Sequence, residues 1–562
     1  MPPSPELSSQ TRAANLDTLA REEFDLVVIG GGITGAGVAR DAVLRGLRVA
    51  LVERRDFSVG TSSRSSKLIH GGLRYLAQGD VGLVLEAANE RRVLRRLVPH
   101  LARPTRMVVP VYGRSAYAKI SAALWTFDRM ARVVKDERNQ MLDRAETLAL
   151  EPALRADSLY GAGVYFENLT NDARLVLETL KAAAARGAVV ANYAAVTQLC
   201  TEGGRVVGVL VKDTLTDAEF SVRGKVVVNA AGPWVDEIRI LQGAGERRRL
   251  HLTKGIHVIM PRTRVPVSHI VVMTAADKRP VFVVPHGDMV YLGTTDTNYQ
   301  GRYDDPWITA DDVAYLLDAA SAAFAIEPLT VDDATGAWAG LRPLLHQEGK
   351  QPAEISRKDE VMVGPTGLIS IAGGKLTTYR KMAERIVDMV AARLVEQGQT
   401  LPPGVGDTDH EPLSGGETGE DIDQYTRACQ QQAPQLPADV CERLVALYGS
   451  NSEIIIGLMG SEPRLAARCA PELAVTWAEV VYAVRYEMAQ TLEDFMERRA
   501  GLFLWDRHNG LGVAPDIARE MGEALGWSAM RMQAELSAYV QHVREVKTFM
   551  SAEPSSGREV HA

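Results

Sequence analysis

The pattern Gly30-x-Gly32-x-x-Gly35 lies between a short β-branched run, FDLVVIG, and the segment ITGAGVARDAVLRGL, whose small and apolar residues recur at helical spacing. A second apolar run, RVALVE, follows and ends in Glu53, at the separation of roughly 20 residues expected for a strand–helix–strand unit. Glycines at these positions permit a tight turn and let a pyrophosphate approach a helix N-terminus, and a strand-end carboxylate can accept hydrogen bonds from a ribose. A glycine turn of no function would need neither the flanking periodicities nor the terminal acid. The N-terminal part is therefore expected to be a parallel α/β unit that binds a dinucleotide.

The chain has 562 residues, more than one hydrophobic core normally serves, so two or three domains are expected. Hydrophobic residues at 46% and charged residues at 24% exclude a disordered or fibrous chain. With 63 Lys+Arg against 71 Asp+Glu, the net charge of −8 provides no basic field for a nucleic acid. Cys200, Cys429, Cys441 and Cys469 are widely spaced, which suits neither a disulfide framework nor a metal site, so no metal and a reducing cytoplasm are expected. MPPSPELSSQ lacks the features of a secretory signal, and no run approaches the roughly 20 apolar residues of a membrane span.

Residues 1–22, rich in Pro, Ser and polar residues, are expected to be a flexible tail, as are 551–562. KVVVNAAG, near 225–232, reads as a strand, and 353–374 as two strands joined by a Gly-Pro turn. VFVVPHGDMVYLGTT reads as a hairpin turning at His286-Gly287-Asp288. The Gly-, Pro- and acid-rich stretch 397–423 is the linker candidate, and helical periodicity marks 424–550 as an α-helical domain. Small residues Ala230, Ala231 and Gly232 end one strand, and Gly373-Gly374 ends another. Together with the first turn they offer three close approaches to one cofactor, which favours a flavin over a nicotinamide.

TSSRSSKLIHGGLRYL, from Thr61 to Leu76, closely resembles the flavin-contacting stretch of FAD-dependent glycerol-3-phosphate dehydrogenases. Similar stretches follow in the family's order: LTKGIHVIMPR, LGTTDTNY, GLRPLL, AGGKLTTYRKMAE and YAVRYEMAQTLEDFMERR. The resemblance implies an α/β plus α+β architecture. A discontinuous Rossmann-like FAD domain (23–90, 165–252 and 346–396) would be interrupted by a D-amino-acid-oxidase-like substrate domain built on an antiparallel sheet (91–164 and 253–345), with the helical domain appended. It also implies oxidation of sn-glycerol 3-phosphate to dihydroxyacetone phosphate, FAD as cofactor, a quinone as electron acceptor, and attachment to the inner face of the cell membrane. A homodimer is compatible with it.

Carried over residue by residue, the resemblance puts Arg74, Tyr75, Arg342, Lys375 and Thr377 around the substrate, with Arg342 and Lys375 on its phosphate. His257 matches a histidine proposed as the base; His251 and His70 are rival imidazoles, and Arg342 is the arginine counted beside His257 among the catalytic candidates. The cofactor contacts implied are Gly30, Gly31, Gly32, Thr34 and Gly35 of the turn, then Glu53 and Arg54. They continue with Thr61, Ser62, Ser63, Ser65, Ser66, Lys67 and Leu68, and end with Ala230, Ala231, Gly232, Gly373, Gly374, Lys375 and Leu376. Asp296 suits either an orienting carboxylate or a turn cap. The chemistry needs these types: a phosphate dianion calls for an arginine fork and a lysine point charge, and loss of a hydride from a carbinol carbon calls for a base on its hydroxyl.

Two rival activities differ in class. An oxidase passing electrons to oxygen belongs to relatives that tend to carry an insertion before the C-terminal domain, which the short linker here disfavours. A flavin-binding protein without turnover is disfavoured by the joint presence of Arg74, Arg342, Lys375 and His257. For membrane contact the candidates are the row Arg91, Arg92, Arg95 and Arg96 and the triplet Arg247, Arg248 and Arg249. The hairpin departs from the family where Pro285-His286 replaces a common Pro-Trp, and the N-terminal extension is additional.

Overall fold

A computed structural model describes residues 7–71, 81–131, 137–243, 248–345, 360–404 and 406–550. Two large sheets and a helical domain make up the molecule. The parallel part of the first sheet holds, from one side to the other, Ile369–Ala372, Glu219–Asn229, Glu23–Ile29, Val49–Val52 and Val189–Ala191. Numbered along the chain this is order 5-4-1-2-3, so the direction of progression reverses between Glu23–Ile29 and Glu219–Asn229. In open α/β sheets ligands bind at such a reversal, outside the carboxyl ends of the strands. Both turns that carry small residues, at Gly30 and at Ala230–Gly232, leave the sheet there.

Leu26, Val27 and Val28 are wholly buried, as a central parallel strand covered on both faces requires. Helix Ile33–Leu44 packs over them through Gly35, Ala36, Ala39 and Ala42, all buried. Antiparallel strands complete this sheet, including the expected pair Glu360–Val363 and Ile369–Ala372.

Among the described residues the second sheet contains ten strands. Next to one edge, Leu250–Pro261 pairs with the edge strand Gly336–Leu345 on one side and with Met289–Gly293 on the other. The expected hairpin is present as Pro280–His286 and Met289–Gly293, turning at Gly287-Asp288. The sheet is mixed rather than purely antiparallel, because Ile270–Thr274 runs parallel to Arg103–Tyr112. Strand pairing also cuts across the expected segment limits. Leu159–Leu169 pairs along Arg103–Tyr112, so residues on both sides of 164/165 belong to the second sheet. Leu250–Thr253 and Leu68–Ile69 join that sheet too, and the limit at 90/91 falls inside helix Val81–Leu97.

The tail expectation fails for residues 7–22. Helix Arg12–Arg21 buries Leu19, and Arg12 donates to Asp213 at 2.6 Å and to the carbonyl of Asn192, a buried ion pair that fixes the segment to the first sheet. The stretch 397–421 has no helix or strand among its described residues, yet it is packed: Leu413 is buried, and Arg40 donates to the carbonyls of Thr408 and Glu411.

Between Ile422 and Met550 the described residues form helices joined by short loops and 3-10 turns, with a wide π-helical turn at Asp494–Arg499. This domain packs on the second sheet through Phe495, Leu502 and Trp505, which share a core with Tyr291 and Trp338. Trp505 stacks on His286 with ring centroids 3.8 Å apart, so an aromatic face reaches the Pro-His site from another domain.

Candidate active site

Two cavities meet at the ends of the parallel strands. The first, about 370 Å3, runs from Glu53 and the glycine turn past Ala230, Ala231 and Gly232 to Gly373 and Gly374. The second, about 710 Å3, lies against the second sheet. Thr61, Ser65, Pro343 and the run Gly373–Leu376 line both, so a ligand filling the first presents one end to the second.

In the first cavity the glycines act as the sequence requires. A side chain on Gly35 would start 1.9 Å from the Gly30 carbonyl oxygen, and Gly30 has φ +108°. Glu53 accepts the N–H of Gly31 at 2.7 Å and that of Arg55 at 2.9 Å, which braces the turn and uses two of the about four acceptor positions of a carboxylate. Burial pushes its carboxyl up from the ordinary value, against the pull of those donors and of Arg54. Ser62 accepts the N–H of Ile33 at 3.0 Å and so closes the first turn of the helix. Gly373 and Gly374 both have positive φ, +77° and +83°, which keeps side chains out of the junction between the cavities.

Thr34, Arg54, Thr61, Ser65, Lys375 and Leu376 also line the first cavity. Gly31 and Gly35 do not line it; they pack against Phe57 and against the Gly30 carbonyl within the turn. Arg54 pairs with Asp304 and lies 5.0 Å from the Trp234 ring. Ser63 and Lys67, read as flavin contacts, line neither large cavity. The ammonium of Lys67 is buried and paired instead with Asp172 at 2.6 Å, a salt bridge that folds the 61–68 loop onto helix Asp172–Ala184.

His257, Arg342, Lys375, Thr377, Ser66 and Leu68 come together on the second cavity, with His70. His251 does not line it; its Nε2 is 2.7 Å from Asn298 Oδ1. Arg74 and Tyr75 lie outside the described residues. Thr377 Oγ1 accepts the His70 N–H and donates to the His70 carbonyl. Arg342 donates to Asp296 Oδ1, Thr294 Oγ1 and the Thr295 carbonyl at 3.0–3.1 Å. Asp296 is thus an orienting carboxylate. A side chain on Gly255 would start 2.2 Å from the guanidinium, so glycine there leaves its berth open.

His257 is only 2% exposed, stacks on Trp338 at 4.5 Å, and has Nε2 2.9 Å from Ser66 Oγ. Burial, followed by the nearby charges of Arg342 and Lys67, holds its pKa well below the ordinary value, so the imidazole is neutral and can take up a proton.

Three charged lining residues escaped the sequence reading: Arg64, Arg279 and Glu167. Arg279 donates to the Asp296 carbonyl at 2.7 Å, which brings a second arginine to the backbone that orients the first. Only the DKRP turn before the hairpin could have signalled it. Met107, Val109, Ile120, Val272 and Phe282 form an apolar wall, with Ile120 carried by helix Arg114–Ala131.

The model of the FAD dependent oxidoreductase family matches residues 25–380, and that of the C-terminal domain of alpha-glycerophosphate oxidase matches 406–532. The chain is 40% identical over 550 residues to an aerobic glycerol-3-phosphate dehydrogenase of Staphylococcus aureus (strain bovine RF122 / ET3-1), covering 96% of this chain and 98% of that protein. The solved glycerol-3-phosphate dehydrogenase of Bacillus halodurans, complexed with FAD, is 34% identical with TM-score 0.82, covering 98% of this chain and all of that one. The L-alpha-glycerophosphate oxidase of Mycoplasma pneumoniae, at 18% identity and TM-score 0.52 over 69% of this chain and 98% of its own, shares the fold.

Proposed function

The chain belongs to the family of FAD-dependent glycerol-3-phosphate dehydrogenases, and from that premise we propose that its second cavity seats the substrate phosphate toward Arg342, Arg279 and Lys375 and the C2 hydroxyl toward His257. The activity is oxidation of sn-glycerol 3-phosphate to dihydroxyacetone phosphate. The observation that carries this assignment is the junction at Gly373–Leu376, where a cavity lined by the nucleotide-binding turn opens onto one lined by arginines and a neutral imidazole.

The residues present fit FAD. Glu53 and the turn at Gly30–Gly35 suit its adenosine and pyrophosphate, and the side-chain-free junction at Gly373-Gly374 leaves room for a flat ring. When bound, FAD supplies the hydride acceptor. The chain's own contribution is position and charge. Arg342, braced by Asp296, offers its remaining N–H donors to a phosphate, and Arg279, just before strand Pro280–His286, adds charge. His257 takes the C2 hydroxyl proton as the C2 hydrogen leaves as hydride, forming the carbonyl. The apolar wall excludes water from the reacting carbon.

A quinone is the acceptor in this reading, at the inner face of the membrane. Among the described residues no helix is long and apolar enough to cross a membrane. Peripheral contact is supported by helix Arg114–Ala131, which exposes Trp125 with Arg129 4.5 Å from its ring, and by exposed Val81 and Leu85 on helix Val81–Leu97. The arginine row serves this less well: Arg91 is buried against Glu167, Arg95 pairs with Glu137, and Arg96 donates to the Asp409 carbonyl. Of the rival triplet, Arg247 lies outside the described residues.

Anaerobic mixing of the FAD-loaded enzyme with glycerol 3-phosphate should bleach the flavin, and glycerol should do so far more weakly. Reoxidation should be much faster with a short-chain quinone than with oxygen. Absence of bleaching would refute the substrate assignment; one peroxide per substrate at full turnover rate would establish the oxidase alternative.

A further inference from the structure

The hydroxyl nearest the imidazole belongs to a loop that is held unusually firmly. Ser66 Oγ stands 2.9 Å from His257 Nε2, while His257 Nδ1 is buried with no hydrogen-bond partner in the protein. Both neighbours of Ser66 are tied to one buried carboxylate: Asp172 accepts from Ser65 N at 3.0 Å, from Ser65 Oγ at 2.7 Å and from Lys67 Nζ at 2.6 Å. The Ser66 carbonyl accepts from Tyr291 Oη at 3.0 Å. The Ser65 carbonyl accepts from Trp338 Nε1 at 3.2 Å, and Trp338 is the ring on which His257 stacks. The loop and the imidazole are therefore held by the same groups.

We infer that Ser66 is a positioning residue, whose hydroxyl oxygen accepts from His257 Nε2–H and so fixes the tautomer that leaves Nδ1 to receive the substrate proton. This rests on His257 being the base. If Ser66 donated instead, Nδ1 would carry hydrogen and could only donate to the substrate oxygen. In the reaction the C2 hydroxyl proton passes to Nδ1 and the C2 hydrogen leaves with its electron pair to FAD. The imidazolium then keeps its Nε2–H on Ser66 Oγ.

Among the described residues, Ser66 Oγ is the hydrogen-bond partner of that N–H. The charged groups facing the ring are Arg342 from the adjacent strand and Lys67 from the loop, both cationic, with the Lys67 charge matched by Asp172 behind it. Tyr291, edge-on to the ring, has its hydroxyl committed to the Ser66 carbonyl. Among the described residues, the Ser66 hydroxyl is thus the hydrogen-bond acceptor for the developing imidazolium, beside the Trp338 face on which the ring stacks.

The test uses FAD-loaded Ser66→Ala, Ser66→Thr, His257→Ala and the double variant, read by anaerobic flavin reduction across pH. Ser66→Ala should retain wild-type FAD content and melting, yet its limiting reduction rate should fall roughly 10- to 100-fold, the worth of a hydrogen bond to a charged group. Its acid limb should move to lower pH, because the imidazolium has lost its acceptor. Ser66→Thr should recover most of the rate, and Ser66→Ala should add nothing to His257→Ala. Wild-type reduction by His257→Ala would refute the base assignment. A slow His257→Ala beside a fast, unshifted Ser66→Ala would overturn the Ser66 inference alone, as would equal slowing by Ser66→Ala in both backgrounds.

Discussion

Asp56→Asn tests whether the helical domain holds the cofactor turn in place. Asp56 is fully buried and accepts from Arg498 Nε at 2.6 Å and from both terminal nitrogens of Arg499, residues of the π-helical turn. Its neighbours in sequence touch the glycine turn: Glu53 accepts the Gly31 N–H, Ser58 N donates to the Gly31 carbonyl at 3.1 Å, and the Phe57 ring fills the space beside Gly31. The amide would remove the charge and turn one acceptor into a donor facing two buried guanidinium groups. Removing one partner of a buried ion pair costs about 3–5 kcal/mol. Arg498 keeps Asp494 at 2.8 Å and Arg499 keeps the Glu487 carbonyl at 2.7 Å, which argues for the lower end.

If about 3 kcal/mol is expressed at the turn, FAD should bind roughly 100-fold more weakly. Titrating apoprotein with FAD by fluorescence quenching measures this, and far-UV circular dichroism in urea measures the accompanying loss of stability. Asp17→Asn, in a pair exposed on both sides, should change neither by more than about 0.5 kcal/mol. Wild-type FAD affinity within twofold, together with an unchanged urea midpoint, would refute the claim that this ion pair braces the turn.

Two further outcomes are expected. Arg342→Met and Arg279→Met should each lower kcat/KM for glycerol 3-phosphate by about 10- to 100-fold, the worth of a charge-assisted contact, and leave the weak reaction of glycerol nearly unchanged; steady-state comparison of the two substrates checks this. Buried His100 and His257 and half-buried His286 all have lowered pKa values, through desolvation foremost, with His286 at about 4. The unfolded chain therefore takes up these protons first, so stability is full above about pH 6.5 and falls as the pH drops toward the folded values, by at most about 3 kcal/mol from His286. Urea midpoints between pH 7.5 and 5 should show the decline, and His286→Phe should flatten it; a midpoint independent of pH would refute the assignment.

What the sequence makes legible here is local. The turn at Gly30–Gly35, its Glu53 brace and the hairpin at Gly287-Asp288 are each formed by residues whose conformational needs are met within one short unit. The tail reading failed because composition records solubility and not partners: Arg12 is polar in sequence, yet it is buried by an aspartate more than a hundred positions away. Composition was equally silent on the partner of Lys67, whose neighbours suggested a flavin contact and whose ammonium pairs with Asp172.

The unforeseen parts of the site share a physical cause. Asp172 opens a helix of the nucleotide-binding layer, where an acid also reads as an ordinary first-turn residue, so nothing local distinguishes it. Its role exists only once the 61–68 loop lies across it and carries Ser66 to a histidine on the second sheet. Arg279 similarly becomes relevant through the carbonyl of Asp296, a group every residue possesses and no motif can record. The cofactor turn takes its shape from its own backbone geometry and is braced through Asp56 by the helical domain, whereas the groups assigned above to proton transfer are brought together by the 61–68 loop and the second sheet, and those assigned to the phosphate are aligned within the second sheet. Substitutions at such contacts should therefore change rates while leaving the nucleotide turn intact, and the Ser66 and Asp56 variants separate these two kinds of dependence.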